Sequence, residues 1–488
     1  MKLIDLTGSV LRRAAPPTPA IVHVEPDGVI VGHTTADDRP IDLPMPVMVQ
    51  LDNRHTFVSG ASGFGKTGLL LLWLLGIIAR MARLPLAQRP AIIIWDPKGD
   101  LDELDSGIAA RCPDMLGHLS AIDPLQTAVP MNLCVLEKGI LSPRLLTATL
   151  VDLVNAISSA GNGVALGNQQ IIAIGAVIEA VLHAPSSNLH WAAQAFQPDG
   201  IPVLAGRTTS DVAREALLGL HLTPELSASC RIRLLQAFGG LGSEAWEASI
   251  AAPSCLSFRD MLLPGRITRF CLGNSPGALE SPVKVACMAT FKLVLAAIQQ
   301  RVTPFTGTPA VLVLDECAVV APVIANSLEK TLSLTRSRGA GLVLATQSTT
   351  QLSAVSPGLL SAVLTNCAHK VAGRVGVPSE AMLYAKELAD SGAAGSARDE
   401  LAQSLLKLKP REFVLFGQSG APVRFVTDTL PKAAWLAAAD KQADAIAAAR
   451  SRHIVPSGHR PTRLFDSGSQ AQADNTNPPT AGRRSHWG

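Results

Sequence analysis

Gly60-Ala61-Ser62-Gly63-Phe64-Gly65-Lys66-Thr67 fits the pattern G-x-x-x-x-G-K-[ST]. Each position has a chemical reason. The glycines let consecutive backbone N–H groups turn inward around phosphate oxygens. Lys66 supplies a point charge to the β- and γ-phosphates, and Thr67 a hydroxyl to Mg2+. The flanks agree with the pattern. His55 to Ser59 reads as a strand, and an apolar helix from Gly68 onward points its positive end at the same anion. A strand, a glycine loop and a helix in this order predict an α/β fold that binds ATP with Mg2+.

A second stretch, Val311-Leu312-Val313-Leu314-Asp315-Glu316, is an apolar strand ending in two acids. Asp315 suits the Mg2+ position through water, and Glu316 suits polarisation of an attacking water. A third, Gly341-Leu342-Val343-Leu344-Ala345-Thr346-Gln347, is a strand with a polar tip. Ligands in open α/β sheets bind at that carboxyl edge. Gln347 there would sense the γ-phosphate or position water. Arg336 or Arg338, just upstream, would serve as an arginine finger on a neighbouring subunit's nucleotide, or as an ordinary surface charge. A fourth, Ile92-Ile93-Ile94-Trp95-Asp96-Pro97-Lys98-Gly99-Asp100, runs a buried strand into an Asp-Pro turn. Asp96 would face Mg2+-bound water or simply build the turn.

Composition bounds what surrounds these motifs. At 488 residues the chain has room for two to four domains. The 42 Lys+Arg against 39 Asp+Glu leave +3, so any grip on nucleic acid must be local rather than histone-like. With 47% hydrophobic residues there is ample material for a core. The mean hydropathy of +0.27 raises the question of a membrane span. The longest apolar run, 68–79, is closed by Arg80 and falls short of the roughly 20 residues a span needs. The first 20 residues do not read as a signal peptide. None of the eight cysteines forms a C-x-x-C pair, which predicts reduced thiols and no zinc site.

The organisation reads as follows. Residues 1–50 form a small N-terminal β segment, with Ile21–Val24 and Val29–Val31 as a hairpin around Pro26-Asp27-Gly28. Residues 51–140 are the first part of the core. Residues 141–264 carry helical patterns with few β-branched runs and read as an all-α insertion. Residues 265–430 return to alternating strands and helices, including a helix at Leu328–Arg336. Residues 431–488 hold an Ala-rich helix at Ala433–Ala449 and a basic tail, rich in Ser, Pro and Asn, that is expected to be disordered.

Together, the four blocks resemble the FtsK–HerA superfamily of P-loop ATPases. The Asp96-Pro97-Lys98-Gly99-Asp100-Leu101 block and the Thr335–Ser348 block look most like the conjugative coupling proteins of type IV secretion, the TraG/TraD kind. Ile122-Asp123-Pro124 and Met131-Asn132-Leu133 are similar to that family's short signatures. The resemblance implies a RecA-like core with a mainly parallel sheet and an all-α domain between the two acidic and glycine motifs. It implies a homo-hexameric ring whose active sites lie between subunits. It implies an ATPase that translocates DNA without sequence preference, with relaxosome or secretion-channel proteins as partners. On this reading Lys66 and Thr67 take the phosphate and Mg2+ roles. Asp315 and Glu316 take the acidic roles, Gln347 is the sensor, and Arg336 is the first choice of finger. The N-terminus departs from the membrane-anchored members, which begin with transmembrane helices. A cytoplasmic protein recruited to the inner membrane face is therefore expected. A soluble HerA-like DNA-processing motor and an ATP-gated adaptor for protein substrates stay open as alternatives. Arg231, Arg233 and the basic tail are candidate DNA grips, or ordinary solvated charges.

Overall fold

The computed structural model describes residues 28–35, 40–44, 55–135, 142–162, 164–239, 244–273, 280–301, 307–388, 395–416, 422–455 and 462–466. Its centre is one eleven-stranded sheet. The strands are β1 (Gly28–Thr34), β2 (Pro40–Pro44), β3 (His55–Ser59), β4 (Ala91–Asp96), β5 (Leu119–Ile122), β6 (Ile267–Cys271), β7 (Ala310–Leu314), β8 (Ala340–Thr346), β9 (Cys367–Ala372), β10 (Glu412–Phe416) and β11 (Val423–Thr427). Their order is β2-β1-β11-β10-β9-β3-β8-β7-β4-β6-β5. The strands from β9 to β5 run parallel, and the other four continue the sheet antiparallel.

Alternation along the parallel strands decides which side each residue packs on. Phe57, Ile93, Trp95, Leu312, Leu314, Leu342 and Leu344 join a core on one face. Val58, Ile92, Ile94, Val311, Val313 and Val343 join the core on the other. Both faces are covered, which is why these strands read as continuous apolar runs. The second face packs on the helix Lys66–Ala82, whose Leu69 to Leu75 and Ile77, Ile78 are all buried. This is the twelve-residue run of the sequence, and it is core. No helix among the described residues is long and apolar enough to cross a membrane.

The first face packs on Glu280–Gln299, Cys317–Leu334 and the segment between β5 and β6. There, the described residues form seven α-helices between Pro143 and Ile250. Their starts follow side-chain chemistry: Ser210 Oγ accepts from Ala213 N at 3.2 Å, and Thr223 Oγ1 from Leu226 N at 3.2 Å ahead of Pro224. Trp95 ties this layer to the sheet. It stacks on Phe270, meets Phe291 edge-on, and donates its Nε1–H to Thr290 Oγ1 at 2.9 Å.

Four local readings change. The N-terminal hairpin pairs β1 with β2 (Pro40–Pro44); Ile21–Val24 lies outside the described residues. Two prolines make 40–44 look unlike a strand, but β2 is the sheet's edge, where a missing N–H is tolerated. The helix expected from Leu328 starts at Cys317, because burial of Val320, Ala321 and Ile324 outweighs Pro322. The helix expected at Ala433–Ala449 is two helices, Lys432–Lys441 and Ala443–Ser451, broken at Gln442. Within the tail, residues 462–466 dock on the helical layer. Leu464 is buried, and Thr462 O accepts from Trp191 Nε1 at 2.9 Å and from Asn188 Nδ2 at 3.0 Å.

Candidate nucleotide site

Parallel strands bring their C-terminal ends to one edge. Ser59 of β3 pairs with Thr346 of β8, Leu314 of β7 with Leu344 of β8, and Trp95 of β4 with Leu314. The residues that follow each strand are therefore neighbours, although up to about 290 positions separate them in sequence. Gly60, Ala61, Ser62, Gly63, Phe64 and Gly65 turn from β3 into the helix that Lys66 and Thr67 begin. Gly63 at φ 79° and Gly65 at φ 97° sit in the left-handed region, where a side chain would be strained. Gly60 needs its missing Cβ for another reason, since that atom would lie 3.1 Å from Gly373 Cα.

The loop is braced from outside. Ala61 N donates to Arg374 O at 2.9 Å, and the Arg374 guanidinium lies over the Phe64 ring at 4.9 Å. Arg411 N donates to Phe64 O at 2.9 Å. Ser59, just before the loop, shares a hydrogen bond with the hydroxyl of the buried Tyr384.

The charged groups meet at the end of β7. Lys66, Asp315 and Glu316 are 6%, 0% and 3% exposed. The Lys66 ammonium donates to Glu316 Oε1 and stands 3.5 Å from Asp315 Oδ1. Gln347 Nε2 donates to Glu316 Oε1 at 3.3 Å, and Lys98 Nζ stands 3.4 Å from Glu316 Oε2. The backbone at Glu316 is left-handed, at φ 46°, and its N–H donates to Asp315 Oδ1 at 2.9 Å. A non-glycine residue held there is a strained backbone at the chemical centre. Burial pushes the Asp315 carboxyl up from its usual range, against the pull of Lys66.

A divalent cation fits this donor set. Asp315 Oδ2 is buried with no hydrogen-bond partner among the described residues, and a buried carboxylate oxygen calls for one. Thr67 lies partly exposed in the first helical turn beside Lys66.

Asp96 occupies the same edge, fully buried. Its Oδ2 accepts from Leu101 N at 3.0 Å and lies 3.9 Å from Arg269 Nη1, while Oδ1 has no partner among the described residues. Burial pushes its carboxyl up to about 7, against the pull of Arg269.

The two candidate fingers part company. Arg338 Nη1 donates to the carbonyls of Gln299 and Arg301, the latter at 2.8 Å, so it closes a helix end. Arg336 lies in the 3-10 turn before β8; its side chain is outside the described residues. That turn is at the N-terminal end of a seven-residue strand, about 20 Å from the edge that carries the site. Arg231 is exposed and Arg233 half-buried on the helix Pro224–Phe238.

Sequence reasoning gave no role to Lys98, Arg374, Arg411 or Glu380. Glu380 is buried and accepts from Thr349 N, from Thr349 Oγ1 at 2.8 Å and from Ser348 Oγ at 3.0 Å, fixing the turn after Gln347. A buried acid opposite a Ser-Thr-Thr turn leaves no spacing signal.

Residues 309–403 match the family described as the TraM recognition site of TraD and TraG. That stretch runs from β7 through Asp315, Glu316 and Gln347 to the helix Gly395–Leu406. The fold is similar to VirB4 of Thermoanaerobacter pseudethanolicus, with a TM-score of 0.54 and 16% identity over 84% of this chain and 99% of that one. It is similar to the bacterial conjugative coupling protein TrwBdeltaN70, with a TM-score of 0.54 and 14% identity over 83% of this chain and 90% of that one. TrwB in complex with ADP and Mg2+ matches with a TM-score of 0.53 and 15% identity over 79% and 87%. No curated protein sequence matches. The fold is thus the α/β fold of RecA-like P-loop ATPases, and the resemblance to coupling proteins holds at the level of fold and of segment 309–403.

Proposed function

We propose that the chain is an ATP-driven DNA motor, a coupling ATPase of a conjugation or type IV secretion-like DNA-transfer system. The observation that carries this reading is the convergence of Lys66, Asp315, Glu316 and Gln347 at one sheet edge. A kinase would need an acceptor site; a buried acid with a polar sensor beside it suits activation of water. Lys66 leaves Glu316 for the β- and γ-phosphates, and the loop 60–65 wraps them with its N–H groups. Glu316, freed of that cation, takes a proton from water, and Gln347 reports the γ-phosphate. Thr67 and Asp315 would hold Mg2+, which would supply charge neutralisation at the phosphates. Arg336, too far from its own site, acts on the nucleotide of a neighbouring subunit, and a homo-hexameric ring supplies that neighbour.

DNA contacts in this reading are to phosphates and independent of sequence, with Arg231, Arg233 and the tail as grips. A cytoplasmic location with recruitment to the inner membrane face, and relaxosome or channel proteins as partners, belong to this reading; the match of residues 309–403 supports the partners. The test is ATP turnover of the purified protein with double- and single-stranded DNA at low and moderate salt. Strong stimulation that fades with salt is expected. Turnover that ignores DNA would sink the motor reading.

A second reading, an ATP-gated adaptor for protein substrates, is favoured by the exposed apolar side chains on the helical layer. Ile172, Val212, Leu218 and Ile232 are each more than half exposed there. DNA-indifferent hydrolysis would favour it, as it would favour a partner docked on those helices. The same stimulation in a protein that captures no relaxosome or channel protein would fit a HerA-like processing motor instead.

A further inference from the structure

We propose that Lys98 is a positioning residue for the water-activating carboxylate, holding Glu316 in place once Lys66 has turned to the phosphates. The inference rests on the hydrolase reading of the site and assigns one more residue to it.

Glu316 has two carboxylate oxygens, and both are engaged. Oε1 takes Lys66 and Gln347; Oε2 faces Lys98 at 3.4 Å. Nucleotide binding needs Lys66 elsewhere. Oε1 then keeps only the neutral amide of Gln347. Lys98 becomes the one cation on the carboxylate among the partners seen here. It holds Oε2, so Oε1 is the oxygen left to face water.

The turn that carries Lys98 is built to place it. Asp96 Oδ2 accepts from Leu101 N at 3.0 Å, closing the turn across Pro97 to Asp100. Arg269 Nη1 donates to Leu101 O at 2.8 Å, fixing the same residue from its other side. Gly99 turns the chain at φ 77°. Gly273 presses on the backbone so closely that a Cβ there would lie 2.0 Å from Lys98 C and 2.3 Å from its O. The backbone of Lys98 is therefore held on three sides. Its side chain, about one-third exposed, reaches inward to an acid that is almost fully buried. A lysine needed only for solubility has no use for such a mount.

The test is steady-state ATP turnover and equilibrium ADP binding for wild type, Lys98→Met and Lys98→Arg, all in the full chain. A third-exposed residue at a turn tolerates both substitutions without unfolding, which thermal melts check. Lys98→Met is expected to lower kcat at least tenfold while KM and the ADP Kd change less than threefold. Lys98→Arg is expected to recover at least a third of the lost kcat. Gly273→Ala, which displaces the Lys98 backbone without touching its charge, is expected to repeat the kcat loss. An unchanged kcat in Lys98→Met would overturn the inference. So would a loss of ADP affinity that matches the loss of kcat, since Lys98 would then be a phosphate ligand. Absence of rescue by arginine would also overturn it. A wild-type protein that neither binds ADP nor turns over ATP would overturn the reading of the site itself, and this inference with it.

Discussion

The ammonium of Lys66 donates to Oε1 of Glu316, a residue 250 positions further along the chain. Neither group has much access to water. Each is the other's solution to burial, because an unpaired charge in that place is costly. In the proposed function this pair is a resting state. Nucleotide would draw Lys66 to its phosphates and leave Glu316 free to act on water. On that reading a single side chain would couple substrate binding to release of the base.

Lys66→Ala is expected to abolish ATP turnover and most nucleotide affinity. It also strands Glu316 and Asp315, so nucleotide-free stability should fall by about 3 kcal/mol, the low end for breaking a buried pair, since Lys98 still offsets Glu316. Wild type should gain about 2.7 kcal/mol at ATP and Mg2+ concentrations a hundred times Kd, and the variant nothing. Denaturant melts with and without nucleotide measure both. Normal turnover in Lys66→Ala would remove the nucleotide assignment of the loop.

Glu316→Gln keeps the shape and removes the base of the proposed mechanism. The amide still accepts from Lys66 and Gln347, and ATP binding should persist. Turnover should fall by about 10²- to 10⁴-fold, the range of a lost general base. Equilibrium binding beside single-turnover hydrolysis separates the two effects. Wild-type hydrolysis would move the water-orienting role to another residue.

Arg336 lies at the wrong end of β8 to reach its own subunit's nucleotide. Arg336→Ala alone should lose turnover by about 10³-fold or more, the usual weight of a finger. Mixed with Lys66→Ala it should recover activity, because some interfaces then pair an intact loop with an intact arginine. Size-exclusion chromatography confirms that mixed rings form, and ATP turnover reads the rescue. Assembled mixtures that stay inactive would count against action in trans.

The parts of the fold that were legible in the sequence are those where one local rule dominates. The loop 60–67, the strand before it and the strand ending at Asp315 follow from glycine chemistry and from two-sided burial. Gln347 was legible as a polar residue ending an apolar strand. What was not legible depends on partners far away in the chain. β2 is a strand only because it is an edge, and β5 has four residues and no periodicity of its own. The helix from Cys317 is set by the core it meets, against the preference of Pro322. Lys98 and Glu380 were in plain view as letters. Their meaning comes from carboxylate and hydroxyl partners on other elements, which no spacing rule encodes.

Asp96 predicts a pH dependence of stability in the nucleotide-free, Mg2+-free protein. Burial holds its carboxyl at about 7, above the ordinary value near 3.8 that it has in an unfolded chain. The native state therefore binds this proton more tightly than the unfolded state. Stability from the group is fully present below about pH 4 and is lost as pH rises through about 7. The three-unit gap caps the effect at about 4 kcal/mol. Asp96→Asn keeps the acceptor for Leu101 N and cannot ionise, so it should lack this loss. Asp123, pushed up to about 6 by its own burial, titrates in the same window in both proteins and cancels from the difference. Urea unfolding from pH 5 to 8.5 should show wild type losing ground to Asp96→Asn as pH rises, most steeply between about 5 and 6.5, with the difference levelling off above about 7. A difference that stays level across that range would mean that Asp96 ionises like an exposed carboxylate, and that Arg269 outweighs its burial.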